Sequence, residues 1–249
     1  MLKAIIVVPC FNEAERLPEA QFVQFSEAHP EIGFCFVDDG STDATRERLA
    51  AMAAERPEVF RCHSLGTNQG KGEAVRQGIR LGLAEEPTYV GFWDADLATP
   101  LQSILEFVRV MDSRATCEVL IGARVALMGR NIQRKSLRHY VGRVFATAAS
   151  QVLGFPIYDT QCGAKMFRCS ETTASLFREP FISRWTFDVE IVARLVGLRG
   201  RDAFGGPESV LVETPLEEWV DVSGSKIRMS DFPKSLLELW RIRSHYRLR

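Results

Sequence analysis

The sequence predicts an α/β protein built on a mainly parallel sheet flanked by helices. Short apolar segments without polar alternation recur along the first half of the chain, as strands buried on both faces require. Longer segments of helical period lie between them, and the joints are rich in Asp, Asn, Gly, Ser and Pro. Strand and helix in strict alternation make parallel crossover units.

In order, the strand segments are Ala4–Val8, Gly33–Val37, Val59–Ser64, Tyr89–Trp93 and Glu118–Gly122, and the helical segments are Pro18–Ala28, Asp43–Arg56, Gly72–Glu85 and Pro100–Ser113. Ser41 or Thr42 is expected to cap the second helix, and Thr99, before Pro100, the fourth. The second half is less regular. A basic stretch from Gly129 to Arg143 leads into an apolar helical run to Phe155. A strand around Gly163–Phe167, a helix from Phe187 to Leu198, a segment Ser209–Glu213, a loop at Asp221–Lys226 and a C-terminal helix from about Pro233 follow. No repeat or long linker divides the 249 residues, so one domain is expected, with a first half of about residues 1–125 and a second of about 126–249. A chain of this length buries roughly 70–75% of its unfolded surface and needs no disulfide or structural metal.

The balance of 31 Lys and Arg against 32 Asp and Glu, a net charge of −1, argues against a nucleic-acid-binding protein. Six scattered cysteines without a Cys-x-x-Cys pair read as buried thiols of a reducing compartment, and the four histidines show no metal-ligand spacing. The apolar stretch Ala4–Val8 is too short for a signal peptide, and Val144–Ile157 falls short of the roughly 18 apolar residues of a membrane span. The expectation is a cytoplasmic chain without a membrane helix of its own.

In parallel sheets, ligands bind beyond the carboxyl ends of the strands. Four consecutive strand ends carry polar clusters: Pro9-Cys10-Phe11-Asn12-Glu13, Asp38-Asp39-Gly40-Ser41-Thr42-Asp43, Asn68-Gln69-Gly70-Lys71-Gly72 and Asp94-Ala95-Asp96-Leu97-Ala98-Thr99-Pro100. The dinucleotide fingerprint is excluded, because the loop after the first strand has no glycine. A phosphate-binding P-loop fails too: Gly66 and Gly70 are one residue too close, and Gly72 stands where Ser or Thr would bind magnesium. Asp94 and Asp96, two carboxylates at i and i+2 leaving a buried strand, can share a hard divalent cation whose shell is completed by water and substrate phosphates. Asp39 is placed to accept hydrogen bonds from a base or ribose, with Ser41 and Asp43 making the turn. Lys71 is a candidate contact to the phosphates.

Together these loops resemble those of family 2 glycosyltransferases with the GT-A, or nucleotide-diphospho-sugar transferase, fold. The order of Asp94–Pro100, Asp159–Phe167 (DTQCGAKMF), Trp185–Glu190 (WTFDVE) and Gly224-Ser225-Lys226 is similar to that in dolichyl-phosphate glucosyltransferases and their prokaryotic relatives. The resemblance runs from about Lys3 to Lys226. It implies that Pro9, Phe11, Glu13, Val37, Asp39, Lys71, Asp94, Ala95 and Lys226 hold the nucleotide sugar, that Asp94 and Asp96 hold Mg²⁺ or Mn²⁺, and that Asp159 and Asp188 are the candidate bases. Ala98 and Thr99 replace the Gln and His of mannosyl-transferring cousins, which favours UDP-glucose over GDP-mannose.

The implied reaction is an inverting displacement at the anomeric carbon, with a polyprenyl phosphate as the acceptor. A phosphate monoester is largely dianionic at neutral pH and needs positioning cations more than a base; Arg124, Arg134 and Arg138 are the candidates. Transfer by a soluble enzyme to a sugar or small-molecule hydroxyl is the alternative and would need a carboxylate base; a non-catalytic nucleotide-sugar-binding protein is a remote one. The basic stretch around Arg130–Arg143 and the C-terminal segment, where Leu236, Leu237, Leu239, Trp240 and Ile242 alternate with Lys234, Arg241, Arg243, Arg247 and Arg249, both read as amphipathic faces. Such faces suit the cytoplasmic surface of an anionic membrane, each near-surface cation adding about 1 kcal/mol. A core-packed helix with a basic rim is the other reading.

Overall fold

In the computed structural model, residues 2–133, 136–222 and 232–248 are described, by backbone alone at 136–139 and 232–233. The first half reads β1 (Ala4–Cys10), α1 (Glu19–Ala28), β2 (Ile32–Asp38), α2 (Thr45–Glu55), β3 (Phe60–Ser64), α3 (Lys71–Leu83), β4 (Tyr89–Trp93), α4 (Gln102–Ser113) and β5 (Val119–Ala123). The second half adds β6 (Asn131–Gln133), α5 (Ser136–Leu153), β7 (Ala164–Arg168), α6 (Glu171–Leu176), α7 (Phe187–Arg199), β8 (Leu211–Pro215), β9 (Glu218–Val220) and α8 (Phe232–His245).

Seven strands form one sheet in the order β3-β2-β1-β4-β7-β5-β8, and β6 pairs with β9 in a small parallel ribbon. All strands of the main sheet run the same way except β7, which lies antiparallel between β4 and β5. Its entry, not its exit, therefore lies at the edge where the parallel strands end.

Alternation along β1 sorts the core into two layers. Ala4, Ile6, Val8 and Cys10 face a cluster that includes residues of α1, α2 and α4; Ile5 and Val7 face one that includes residues of α3, α5, α7 and α8. The first layer is built on phenylalanines: Phe22 of α1 meets Phe34 and Phe36 of β2 edge-on at 5.3 and 5.1 Å between ring centres, and Phe36 meets Phe60 of β3 at 5.8 Å. Such edge-on pairs contribute about 0.5–1.5 kcal/mol each beyond burial. In the second layer α3 approaches the sheet through Gly78, where a β-carbon would lie 2.3 Å from Cγ1 of Val7 and 2.9 Å from Cγ2 of Val37.

Two expected caps are corrected. No side chain caps α2 or α4. Ser41 instead accepts from the Asn12 amide, and Thr42 gives its amide to the Asn12 side chain. Asp43 takes the role nearest to a cap, accepting from the Thr45 amide and hydroxyl. These side chains join neighbouring loops, an outcome with more bonds than capping one helix.

Gly78→Ala is expected to destabilise the fold by about 1–3 kcal/mol, the range for overpacking a filled core, despite alanine's better helix propensity. Urea unfolding followed by circular dichroism measures it.

Candidate active site at the carboxyl edge of the sheet

The exits of β1, β2, β4 and β5 and the entry of β7 meet at one edge. The first two loops are laced together. Besides the Asn12–Ser41 and Asn12–Thr42 bonds, the Glu13 amide donates to the Thr45 hydroxyl at 2.8 Å and the Ala14 amide to Asp43 at 3.2 Å. Hydrogen bonds from Thr45 and Ala14 outweigh the effect of burial on Asp43 and hold its carboxyl below the ordinary range. Glu13 is buried and paired with Arg16 at 2.7 Å. Pro9 and Phe11 are half-buried beside it.

The turn after β2 opens on Asp38, whose Oδ1 accepts the Ser41 amide at 3.0 Å, and continues with Asp43, which as expected accepts the amide two residues on, while Ser41 accepts from Asn12 of the neighbouring loop. Asp39 reaches across to the third loop and accepts the Gln69 and Gly70 amides at 2.7 and 2.9 Å. Burial raises its carboxyl pKa, opposed by those two amides. The Val37 side chain is fully buried, facing Gly78 of α3. The Ala95 side chain is likewise buried.

Gly70, at φ +97°, begins α3 and delivers Lys71 to Asp94, with 2.5 Å between Nζ and Oδ1. Burial opposes the lysine's charge, but Asp94, followed by Asp188 and Asp96, outweighs it and raises the ammonium pKa. Asp96 accepts the Ala98 amide at 3.1 Å, and its own pKa is raised, by burial first and then by Asp94. The position of Asp94 is set from β7. Its amide donates to the Gly163 carbonyl at 3.1 Å, and a β-carbon at Gly163 would fall 1.9 Å from its Oδ2. Only glycine fits there.

Among the described residues no three His, Cys, Asp or Glu side chains cluster as a complete metal site. The donor set nevertheless suits a hard cation. Two carboxylates two residues apart crowd each other, with one lysine to offset them, and such pairs leave most of the shell to phosphate oxygens and water.

Beside this edge, Asp159 and Arg124 engage each other. The guanidinium grips the carboxylate through Nε at 2.6 Å and Nη2 at 2.7 Å, and the Arg124 amide adds a third bond. Burial opposes the charge of Arg124, and Asp159 overcomes it, raising the pKa further. The Asp159 amide is held by Glu213 of β8, whose carboxyl is raised by burial. A proton-accepting role for Asp159 would require this fork to open. Asp188, in the first turn of α7, is ion-paired with Lys165, a fully buried cation on β7 that also donates to the Cys162 carbonyl at 2.6 Å. The side chain of Arg138, in α5, and all of Arg134 and Lys226 lie outside the described residues. Of the remaining basic stretch, Arg130 pairs with Glu217 at 3.1 Å, and Arg143 stacks on Tyr158 at 4.1 Å.

Sequence reasoning missed three positioning residues. Lys165 carried a signal, a lysine inside an apolar strand. Glu238 of α8 and Arg184 carried none. Glu238 accepts the amides of Arg184, Trp185 and Thr186 and the Thr186 hydroxyl, at 2.9–3.2 Å. It thereby places a carboxylate at the N-terminus of α7, where the helix dipole favours one. Arg184 bonds Asn68 at 2.9 Å and lies over Gly70.

An acidic pair at the carboxyl edge of an α/β sheet, crossed by one antiparallel strand, defines a glycosyltransferase of the GT-A type. The chain belongs to glycosyl transferase family 2, whose profile matches residues 5–173. It is 30% identical to a dolichyl-phosphate beta-glucosyltransferase of Trichomonas vaginalis over 97% of this chain and 71% of that one. It is 29% identical to the enzymes of the same name from Dictyostelium discoideum and Saccharomyces cerevisiae, each over 98% of this chain and 74% and 75% of theirs. The fold is shared with glucosyl-3-phosphoglycerate synthase from Mycobacterium tuberculosis in complex with Mn²⁺, UDP-glucose and phosphoglyceric acid, at a TM-score of 0.69 and 16% identity over 98% of this chain and 79% of that one.

Lys165→Met, which leaves Asp188 buried without its cation, is expected to cost about 3–5 kcal/mol of stability. Adding Asp188→Asn should recover much of that loss in denaturant melts, because the stranded charge is gone.

Proposed function

We propose that this glycosyltransferase moves glucose from UDP-glucose to the phosphate of a polyprenyl phosphate, with inversion at the anomeric carbon and a divalent cation, Mg²⁺ or Mn²⁺. The observation that carries the reading is the Asp94–Asp96 pair with Lys71 beside it, in a chain whose relatives over nearly its full length are dolichyl-phosphate glucosyltransferases. In this reading the first half binds the donor and the second the acceptor. Asp94 and Asp96 would hold the cation, which offsets the charge developing on the diphosphate leaving group. Pro9, Phe11, Glu13 and Asp39 line the nucleotide end; Asp39 acts by fixing the Gln69–Gly70 turn that aims Lys71. Lys71 supplies a positive charge beside the diphosphate, and Lys226 is assigned there by resemblance.

The acceptor phosphate is its own nucleophile, so the site must place it and need not deprotonate it. Arg124 keeps Nη1 without a hydrogen bond among the described residues, which leaves it to bind an acceptor oxygen while Asp159 fixes the plane of the guanidinium. Arg134 and Arg138 are the other assigned contacts. Transfer to a sugar hydroxyl would call on Asp159 or Asp188 as base, and the engagement of both carboxylates by buried cations favours the phosphate acceptor. A membrane-borne acceptor puts the work at the cytoplasmic membrane face. Among the described residues no helix is long and apolar enough to cross it.

Incubation with labelled UDP-glucose or GDP-mannose, metal and a short polyprenyl phosphate is expected to carry label into the organic phase only with UDP-glucose and only with the lipid. Label appearing on a soluble hydroxyl acceptor instead would overturn the reading. EDTA should abolish transfer and Mn²⁺ or Mg²⁺ restore it. Asp96→Asn should lower kcat by about 10²-fold or more, in keeping with the several kcal/mol a Lewis acid supplies. Mn²⁺ with UDP is expected to raise the thermal midpoint of the parent protein, and Asp96→Asn to remove that rise.

A further inference from the structure

The C-terminal helix is asymmetric in a way the reaction does not use. Leu239 and Ile242 are buried in the second core layer, and Glu238 points the same way, into the N-terminus of α7. At 100° per residue Leu237, Trp240 and Ser244 fall opposite Leu239 and Ile242, with Arg241 and Lys234 to one side and Leu236 and Arg243 to the other. Leu237 is 63% exposed and Trp240 68%. Glu238 is the sole acidic residue of 232–248, so the outer half carries no carboxylate. Arg241, Arg243 and Arg247 form no ion pair among the described residues, unlike Arg130 of the earlier basic stretch, which pairs with Glu217. A cleft of about 370 Å³ opens on this side, lined by Trp240, Arg243, Ser244, Arg247 and Leu248.

Exposed leucines and a tryptophan beside the unpaired guanidiniums of Arg241, Arg243 and Arg247 match a surface that is apolar below and anionic above. Trp partitions to the headgroup level, leucine side chains reach the acyl boundary, and guanidiniums pair with phosphodiesters. We propose that the outer face of α8 docks on an anionic lipid bilayer and that the Trp240–Arg243–Arg247 cleft takes the phosphate of an anionic phospholipid headgroup. The proposal names the membrane contact that the lipid-acceptor reading requires, but it concerns bulk lipid and not the acceptor, so each can fail alone.

The test is co-sedimentation of the full chain, without donor, metal or acceptor, with vesicles of phosphatidylcholine alone or with about 30% phosphatidylglycerol. Binding is expected on the anionic vesicles, falling steeply as salt shortens the screening length. Leu237→Ala/Trp240→Ala and, separately, Arg241→Glu/Arg243→Glu should each weaken it roughly tenfold or more. Both variants should keep the parent's thermal midpoint and its transfer to a short, water-soluble polyprenyl phosphate. Equal recovery on neutral and anionic vesicles, or outer-face variants that bind like the parent, would overturn the proposal. Vesicle binding without any transfer to polyprenyl phosphate would leave the dock standing and remove the acceptor reading.

Discussion

One buried ion pair, Lys165 with Asp188, ties strand β7 of the central sheet to helix α7 packed over it, next to the point where chemistry is read. An ammonium in the middle of a seven-stranded sheet is tolerable only if its charge is answered on the spot, and Asp188 and the Cys162 carbonyl answer it. The pair fixes the start of α7 over β7. From there Phe187 packs on Gly72 of α3, with a hypothetical β-carbon 3.0 Å from its ring, and Arg184 lies over Gly70. The start of α3 in turn holds Lys71 against Asp94. Geometry at the acidic pair is thus inherited from a charge that touches neither carboxylate.

Much of this was legible in the sequence, and the limits have physical causes. Tyr89–Trp93 was read to the residue, because an apolar strand ending in Asp-x-Asp marks its own boundary. The direction of β7 was not legible: a strand buried on both faces has the same composition whichever way it runs. Arg124 and Asp159 were given separate roles because 35 residues part them, while the fold makes them one bidentate unit. Val37 was placed in the site by resemblance, and its side chain is buried because β2 is covered on both faces. Ser41 and Thr42 looked like caps because capping is a local rule, and contacts between loops decided otherwise; Thr99 fell short because α4 begins two residues later than read.

The near-neutral charge of the chain conceals a spatial separation. Carboxylates gather where the parallel strands end, and each has a defined occupation: Asp38 makes a turn, Asp39 holds the neighbouring loop, Asp159 orients an arginine and Asp188 neutralises a lysine. Asp94 and Asp96 are engaged more sparsely, Asp94 by Lys71 and Asp96 by the Ala98 amide. A polar edge whose other acids are occupied within the protein directs a cation and its phosphates to those two.

The position of β7 also bears on the order in which the sheet can close. Strands β3, β2, β1 and β4 are contiguous in space and are complete once residue 93 has been made. The next strand in the chain, β5, cannot join them, since its place is separated from β4 by a strand that begins at residue 164. During synthesis β5 must wait with an unpaired edge while about 40 further residues emerge, a few seconds' delay at ordinary translation rates. Insertion of β7 then joins β4 to β5 and sets Gly163 behind Asp94, and Lys165 gains its counter-charge once α7, with Asp188, follows. A ribosome-bound chain ending before residue 164 would hold the nucleotide loops and the acidic residues, yet lack the backbone that gives Asp94 its orientation.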